Sequence, residues 1–168
     1  MYEHILFPTD GSDGAAAALA HARNLAETHD ATLHIMTVID TSSPHIGMTT
    51  AGPEGATTGM VAEEHDESEP GMVGEEHNVE SSLQERAQAI VEAAADEVDT
   101  VDTITTVERG PPHSAILDYA NENDIDLIVM GTHGRTGIER YLLGSVAEKV
   151  VRTSNVPVLT ARLGDDTT

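Results

Sequence analysis

Cysteine is absent from this 168-residue chain, and so is tryptophan. Without a thiol, disulfides, thiolate nucleophiles and thiolate metal ligands are excluded. Basic residues are scarce. Lys and Arg together number 8, Lys149 being the single lysine, against 30 Asp and Glu, for a formal net charge of −22. Nucleic-acid backbones are held by basic stripes, and none is visible, which argues against nucleic acid as a partner. No apolar run approaches the ~20 residues that cross a bilayer. The opening MYEHILFPTDG has neither the basic region nor the long apolar stretch of a secretory signal. Together these absences predict a cytoplasmic location and no membrane partner.

The acidic excess has a physical consequence. At low ionic strength such a surface repels itself and opposes compaction. At molar salt the Debye length falls to roughly 3 Å and the repulsion largely disappears. The composition therefore reads first as a halophilic surface suited to a salt-rich cytosol, and second as an acidic face for a basic partner. The length fits one domain with a substantial core.

Hydrophobic patterning alternates between two periods. Tyr2 to Phe7 is a short apolar run ended by Pro8, Thr9, Asp10 and Gly11, which reads as a buried strand. Gly14 to Thr28 places Ala15, Ala18, Leu19, Ala22, Leu25 and Ala26 at helical spacing, with Ser12 or Asp13 available as cap. Thr32 to Ile39 reads as a second strand. After an interruption, Val79 to Val98 predicts an amphipathic helix and Thr103 to Glu108 a β-branched strand. Pro112 to Asn123 predicts a helix, and Ile125 to Met130 the strongest strand, apolar almost throughout. Ser145 to Thr153 predicts a helix burying Val146, Val150 and Val151. Val156 to Ala161 is a last strand whose Pro157 suits an edge or a strand start. Five strands alternating with four helices predict an α/β fold, a parallel sheet with helices on both faces. Ligands of such sheets bind beyond the carboxyl ends of the strands, where the strand order reverses.

The interruption, from Asp40 to about Asn78, is rich in Gly, Thr, Pro, Ser and acids, and its apolar residues follow no period. It contains a short repeat, GMVAEEHD at Gly59 to Asp66 and GMVGEEHN at Gly71 to Asn78. The stretch reads as a mobile surface insertion, because the α/β rhythm resumes after it. Glu63, Glu64 and His65, with Glu75, Glu76 and His77, have the ligand chemistry of a loose divalent-metal site. Ordering such ligands is costly, so a solvated acidic loop is the preferred reading and no metal site is assigned.

One segment carries recognisable chemistry: GTHGRTGIERYLLGS, from Gly131 to Ser145, directly after the strongest strand. Its spacing is G-x2-G-x9-G-S. A phosphate chain can lie against backbone where no Cβ intervenes, which favours Gly131, Gly134 and Gly144. The helix starting near Gly144 offers amide groups and a partial positive charge to an anion. The Ser145 hydroxyl can cap that helix or donate to a phosphate oxygen. No Gly-Lys-Ser/Thr follows, so this is not a Walker A loop. Arg135 can pair with phosphate or stay solvated, and His133 can touch a phosphate or pack against the loop.

That spacing resembles the nucleotide-binding segment of ATP-binding universal stress proteins. So do ILFPTDGSDGAAAALAHA, LHIMTVID, GPPHSAILDYANENDIDLIVMGTHGR and GSVAEKVVRTSNVPVLTAR, in the same order, over nearly the whole chain except residues 41 to 80. The resemblance implies a doubly wound sheet of strand order 3-2-1-4-5. It implies one nucleotide-binding domain over residues 1–163, interrupted by the acidic insertion at 41–78 and followed by a short tail at 164–168. It assigns Asp10 to the adenosine part, with Pro8 and Thr9 lining the same turn, and Val38 to adenine through its backbone. Met130 and Gly131 would flank the nucleotide, and Gly134, Gly144, Ser145 and Val146 would surround its phosphates, with Arg135 counted among the binding residues on its own chemistry. ATP is the implied ligand, with Mg²⁺ or Mn²⁺ able to accompany it; AMP or ADP would satisfy much of the same chemistry. A homodimer through the last strand, Val156 to Ala161, is implied as well.

The expected function is an ATP-binding regulatory protein of the stress response, acting as a nucleotide-dependent homodimeric switch. The alternative is a slow ATP hydrolase of the same α/β type, which the residues support little: no Walker lysine is present and no nucleophile–base pair has a recognisable spacing. A phospho-acceptor receiver domain, a third reading, lacks the acid cluster and the late lysine it requires.

Overall fold

The computed structural model describes residues 1–42, 74–132 and 143–162, and for residues 74–78 the backbone alone. The elements run β1 (His4–Pro8), α1 (Asp13–His29), β2 (Thr32–Ile39), α2 (Gly74–Asp96), β3 (Thr103–Arg109), α3 (Pro112–Glu122), β4 (Leu127–Gly131), α4 (Ser145–Thr153) and β5 (Val158–Ala161). Every strand pair is parallel, as the alternating pattern predicts, and the order is β3-β2-β1-β4-β5, as the family resemblance implies. The order reverses between β1 and β4: β1 leads outward to β2, and β4 leads the other way to β5.

Local chemistry sets the element ends. Ser12 is the N-cap of α1, its hydroxyl accepting from the amide of Ala15 at 3.3 Å. That helix stops at Asp30, which takes a left-handed conformation (φ 56°, ψ 43°) and donates its N–H to the Ala26 carbonyl. Aspartate tolerates that region better than most side chains because it is short and polar. The helix α3 enters through Pro111 and Pro112, where a missing N–H costs nothing.

Helices α1 and α2 cover one face of the sheet and α3 and α4 the other. The first layer is held by Ile5, Phe7, Leu33, Ile35, Leu127 and Val129 against the alanine stripe of α1 and Val91, Ala94 and Val98. The second is held by Leu6, Met36, Ile128 and Met130 against Ile116, Ala120, Ala147 and Val150. Successive β4 residues alternate between the two cores, which explains its unbroken apolar run.

Some bounds and burials differ from expectation. The helix α2 starts at Gly74, so the second copy of the repeat contributes its GEEHN backbone to a helix expected only from Val79. Val79 is 45% exposed and not inward-facing. In α4 the buried residues are Ala147 and Val150, while Val151 is 46% exposed. The helix meets the sheet along a narrower stripe than its three valines suggest. The last strand starts at Val158, and Pro157, just before it, accepts the Ile128 N–H through its carbonyl.

Candidate nucleotide-binding site

The carboxyl edge of the sheet gathers three of the sequence-predicted segments. Pro8 ends β1, and Thr9 and Asp10 form the turn into α1. This turn is firmly held. The Thr9 amide donates to the Met36 carbonyl at 2.8 Å, and the buried Thr37 hydroxyl donates to the Thr9 carbonyl at 2.7 Å. Asp10 Oδ1 accepts from the Ser12 amide at 3.0 Å, and the Thr9 hydroxyl oxygen accepts from Gly11 at 3.1 Å. Gly11 has φ 73°, which favours glycine at this tight corner. The Asp10 carboxylate is thus oriented by its own turn.

Val38 lies in the last part of β2, half-buried on the α3/α4 side. Met130 is buried and Gly131 half-buried at the end of β4, next to β1 in the sheet. Gly144, Ser145 and Val146 open α4. The two ends of the glycine segment are pinned together, since the Gly144 amide donates to the Thr132 carbonyl at 2.7 Å. Thr132 itself is buried, and its amide donates to Ala161 on β5. Sequence reasoning missed this closing contact, which runs through backbone and leaves no side-chain signature. Gly134 and Arg135, with His133, lie outside the described residues.

Two glycines of the segment differ in what they permit. A Cβ on Gly131 would stand 2.6 Å from the carbonyl oxygen of Gly14 and 3.1 Å from the amide of Ala15. The backbone that comes close here is the first turn of α1, so glycine is required by packing. Gly144 has φ −57° and ψ 151°, a conformation open to any residue, and it is the N-cap of α4. Ser145 is therefore the first helical residue and not the cap. Being glycine, Gly144 gives the helix no side-chain cap, and the first-turn amides keep the partial positive charge that attracts an anion.

Away from this edge, a surface groove of about 480 Å³ runs along α2 past Ser81, Gln84, Glu85, Gln88, Ala89 and Glu92. Its carboxylates make it a poor phosphate receptor. Among the described residues no group of three or more His, Cys, Asp or Glu could hold a metal ion, and no helix is long and apolar enough to cross a membrane.

A doubly wound parallel sheet with a tethered acidic turn after β1 and a glycine-opened helix after β4 belongs to the open-sheet α/β class that binds ligands at a topological switch point. The model of the universal stress protein family matches residues 1–162, and the chain belongs to that family. It is 35% identical to a universal stress protein of Methanocaldococcus jannaschii, MJ0531, over 162 residues, 96% of this chain and 83% of that one. The solved structure of a second protein of that organism, MJ0577, superposes with a TM-score of 0.75 at 28% identity, covering 99% of both chains. Two more distant structures share the fold. One is a universal stress protein in complex with cAMP (TM-score 0.55, 23% identity, 97% of this chain and 98% of that one). The other is an Arabidopsis thaliana family member with AMP bound (TM-score 0.64, 12% identity, 99% and 95%).

Proposed function

We propose that this chain is the ATP-binding type of universal stress protein, holding an adenine nucleotide across the carboxyl edge between β1 and β4. The observation that carries this reading is the N-terminus of α4, opened by a glycine without a side-chain cap and pinned beside the end of β4. A triphosphate fits such an end because amide donors and the helix dipole both favour negative charge. Asp10 would accept hydrogen bonds from ribose hydroxyls, since a carboxylate only accepts. The Val38 backbone would meet adenine, Pro8, Thr9, Met130 and Gly131 would line the pocket, and Gly134, Arg135, Ser145 and Val146 would surround the phosphates. AMP and cAMP in the two more distant family members support an adenine nucleotide as the ligand class.

A divalent cation would accompany the phosphates of ATP and offset the repulsion of this acidic chain. Occupancy would shift a pre-existing equilibrium of a homodimer, which makes the protein a switch in the stress response. The dimer reading is supported by β5, an edge strand on which Val158 and the adjoining Val156 are only half-buried. The strongly acidic surface supports a halophilic protein of the cytoplasm.

Equilibrium dialysis with ATP in molar salt tests the site. Saturable binding is expected for the natural chain, together with a loss of at least ten-fold in affinity for the Gly144→Val, Ser145→Ala double variant. The Gly144 conformation admits valine, so the variant should fold. A folded sample without saturable binding overturns the reading. Steady phosphate release abolished by Asp10→Asn would instead favour the slow hydrolase.

A further inference from the structure

Away from the carboxyl-edge turns, three ring side chains form a continuous hydrogen-bonded row. His4 on β1 meets His34 on β2, Nδ1 to Nε2 at 3.2 Å, and the other nitrogen of His34 meets the Tyr119 hydroxyl of α3 at 2.9 Å. The rings follow one another edge to face, with centroids 5.3 and 5.8 Å apart. His34 is buried at 4% exposure among the apolar residues of the α3/α4 face. Its neighbours in the strand register are Leu6 and Ile104. A polar row through an otherwise apolar layer must be fully satisfied to be tolerated, and here each link is made.

We propose that His4, His34 and Tyr119 form a proton-counting clamp, whose His4–His34 link between β1 and β2 holds while no more than one imidazole is charged and opens when both are. The argument is one of donors and acceptors. A neutral imidazole has one donor and one acceptor nitrogen, and a charged one has two donors. With both neutral, the row is satisfied with protons ordered in either direction. With His34 charged, it donates to His4 on one side and to Tyr119 on the other, and the row still holds. With His4 charged, it donates to a neutral His34, which donates in turn to the tyrosine oxygen. With both charged, two N–H groups face each other at the His4–His34 contact and that link must break, while His34 still donates to Tyr119.

The surroundings oppose a second charge. Burial, and next the neighbouring His4, push His34 below the ordinary histidine range. Burial, and next Glu108 on β3, push the Tyr119 hydroxyl up, so it stays protonated. Among the described residues, the charged groups facing the row are Glu108, which interacts with Tyr119, and Asp126 before β4, which interacts with His4 and accepts the backbone N–H groups of Glu3 and His4. The N-terminal ammonium interacts in turn with Asp126. Neither carboxylate touches the His4–His34 contact, so neither supplies the acceptor that a doubly charged pair would need.

The sign follows from linkage. A histidine whose folded pKa is depressed contributes stability that is present above the unfolded value, about 6.5, and is lost as pH falls toward the folded value. One proton bound only by the unfolded chain raises the unfolding constant up to ten-fold per pH unit. The experiment combines imidazole ¹⁵N NMR of the full chain in fixed molar salt with urea unfolding, both between pH 8 and pH 5. One imidazole of the pair is expected to stay neutral to a pH below the ordinary histidine value. His4→Gln should lessen the wild-type pH slope and leave the part that burial of His34 sets, and Tyr119→Phe should lower stability and mobilise α3. Two imidazoles titrating independently near 6.5 would overturn the clamp, as would a His4→Gln slope equal to wild type. Should His4→Gln fail to fold, the tautomers and titrations of the wild-type pair decide alone.

Discussion

The two faces of the sheet are built on different principles. On the α1/α2 face the core cluster is apolar, with the Thr37 hydroxyl turned back to the Thr9 carbonyl at its edge, and the helix stripe is Ala15, Ala18, Ala22 and Ala26 with Leu19. Small side chains let α1 sit close, close enough that its first turn leaves no space for a Cβ at Gly131. On the α3/α4 face the apolar core is smaller and a row of polar rings runs beside it, from His4 through His34 to Tyr119. One face is held by contact and volume, the other partly by proton positions. The first should therefore respond to side-chain size at any pH, and the second to acid.

The largest expected effect comes from removing volume on the contact-built face. Phe7 is 1% exposed and is the only phenylalanine of the chain. Phe7→Ala should cost about 3–5 kcal/mol, by lost transfer energy and by the cavity left behind. Urea unfolding at pH 8 and pH 5.5 should show the same loss relative to wild type at both. A loss that changes with pH would mean that the two faces are coupled more tightly than their separate cores imply.

Gly131→Ala sharpens the comparison by adding one methyl where α1 and β4 meet. The backbone of Gly14 cannot yield as a flexible side chain would, so α1 must shift. About 1–3 kcal/mol of destabilisation is expected, from overpacking. The loss should appear without nucleotide. Gly144→Val, at the other end of the segment, should spare stability and reduce nucleotide binding. If Gly131→Ala left stability unchanged, Gly131 would owe its identity to the ligand and not to the helix.

That pair of glycines also shows what a sequence can and cannot convey. Both stand in one motif, and the spacing alone gives them the same reason for being glycine. The structure separates them, because the neighbour of Gly131 comes from α1, over a hundred residues earlier in the chain. The architecture itself was legible: Ile125 to Met130 reads as a doubly buried strand because it contributes to both cores, and the alanine stripe of α1 reads as a helix because its spacing matches one face. The helical start at Gly74 was not legible, since the GEEHN turn has no apolar residue to set a period. Val151 was misread because three valines in α4 look like one face, whereas the sheet contacts a narrower stripe. The ring row was invisible for a different reason. A histidine in a strand and a tyrosine in a helix, 85 residues apart, leave no spacing to recognise.

The smallest effect separates two kinds of acid sensitivity. Asp126 Oδ2 accepts the Glu3 amide at 2.7 Å and the His4 amide at 3.0 Å, anchoring the start of β1 to the turn before β4. These backbone hydrogen bonds, Glu3 first, hold its carboxyl below the ordinary value of 3.8. The folded pKa is depressed, so its contribution is present above about 3.8 and is lost as pH falls through the folded value. The group is largely solvated, and screening keeps that contribution small. Asp126→Asn should therefore leave unfolding between pH 5 and 7 with its wild-type slope and flatten the acid limb below about pH 4, by less than one proton. His4→Gln should do the reverse, flattening the higher range and sparing the lower. If Asp126→Asn altered the higher range instead, the carboxylate would be setting the charge of His4, and the ring row would answer to Asp126 as well as to its own protons.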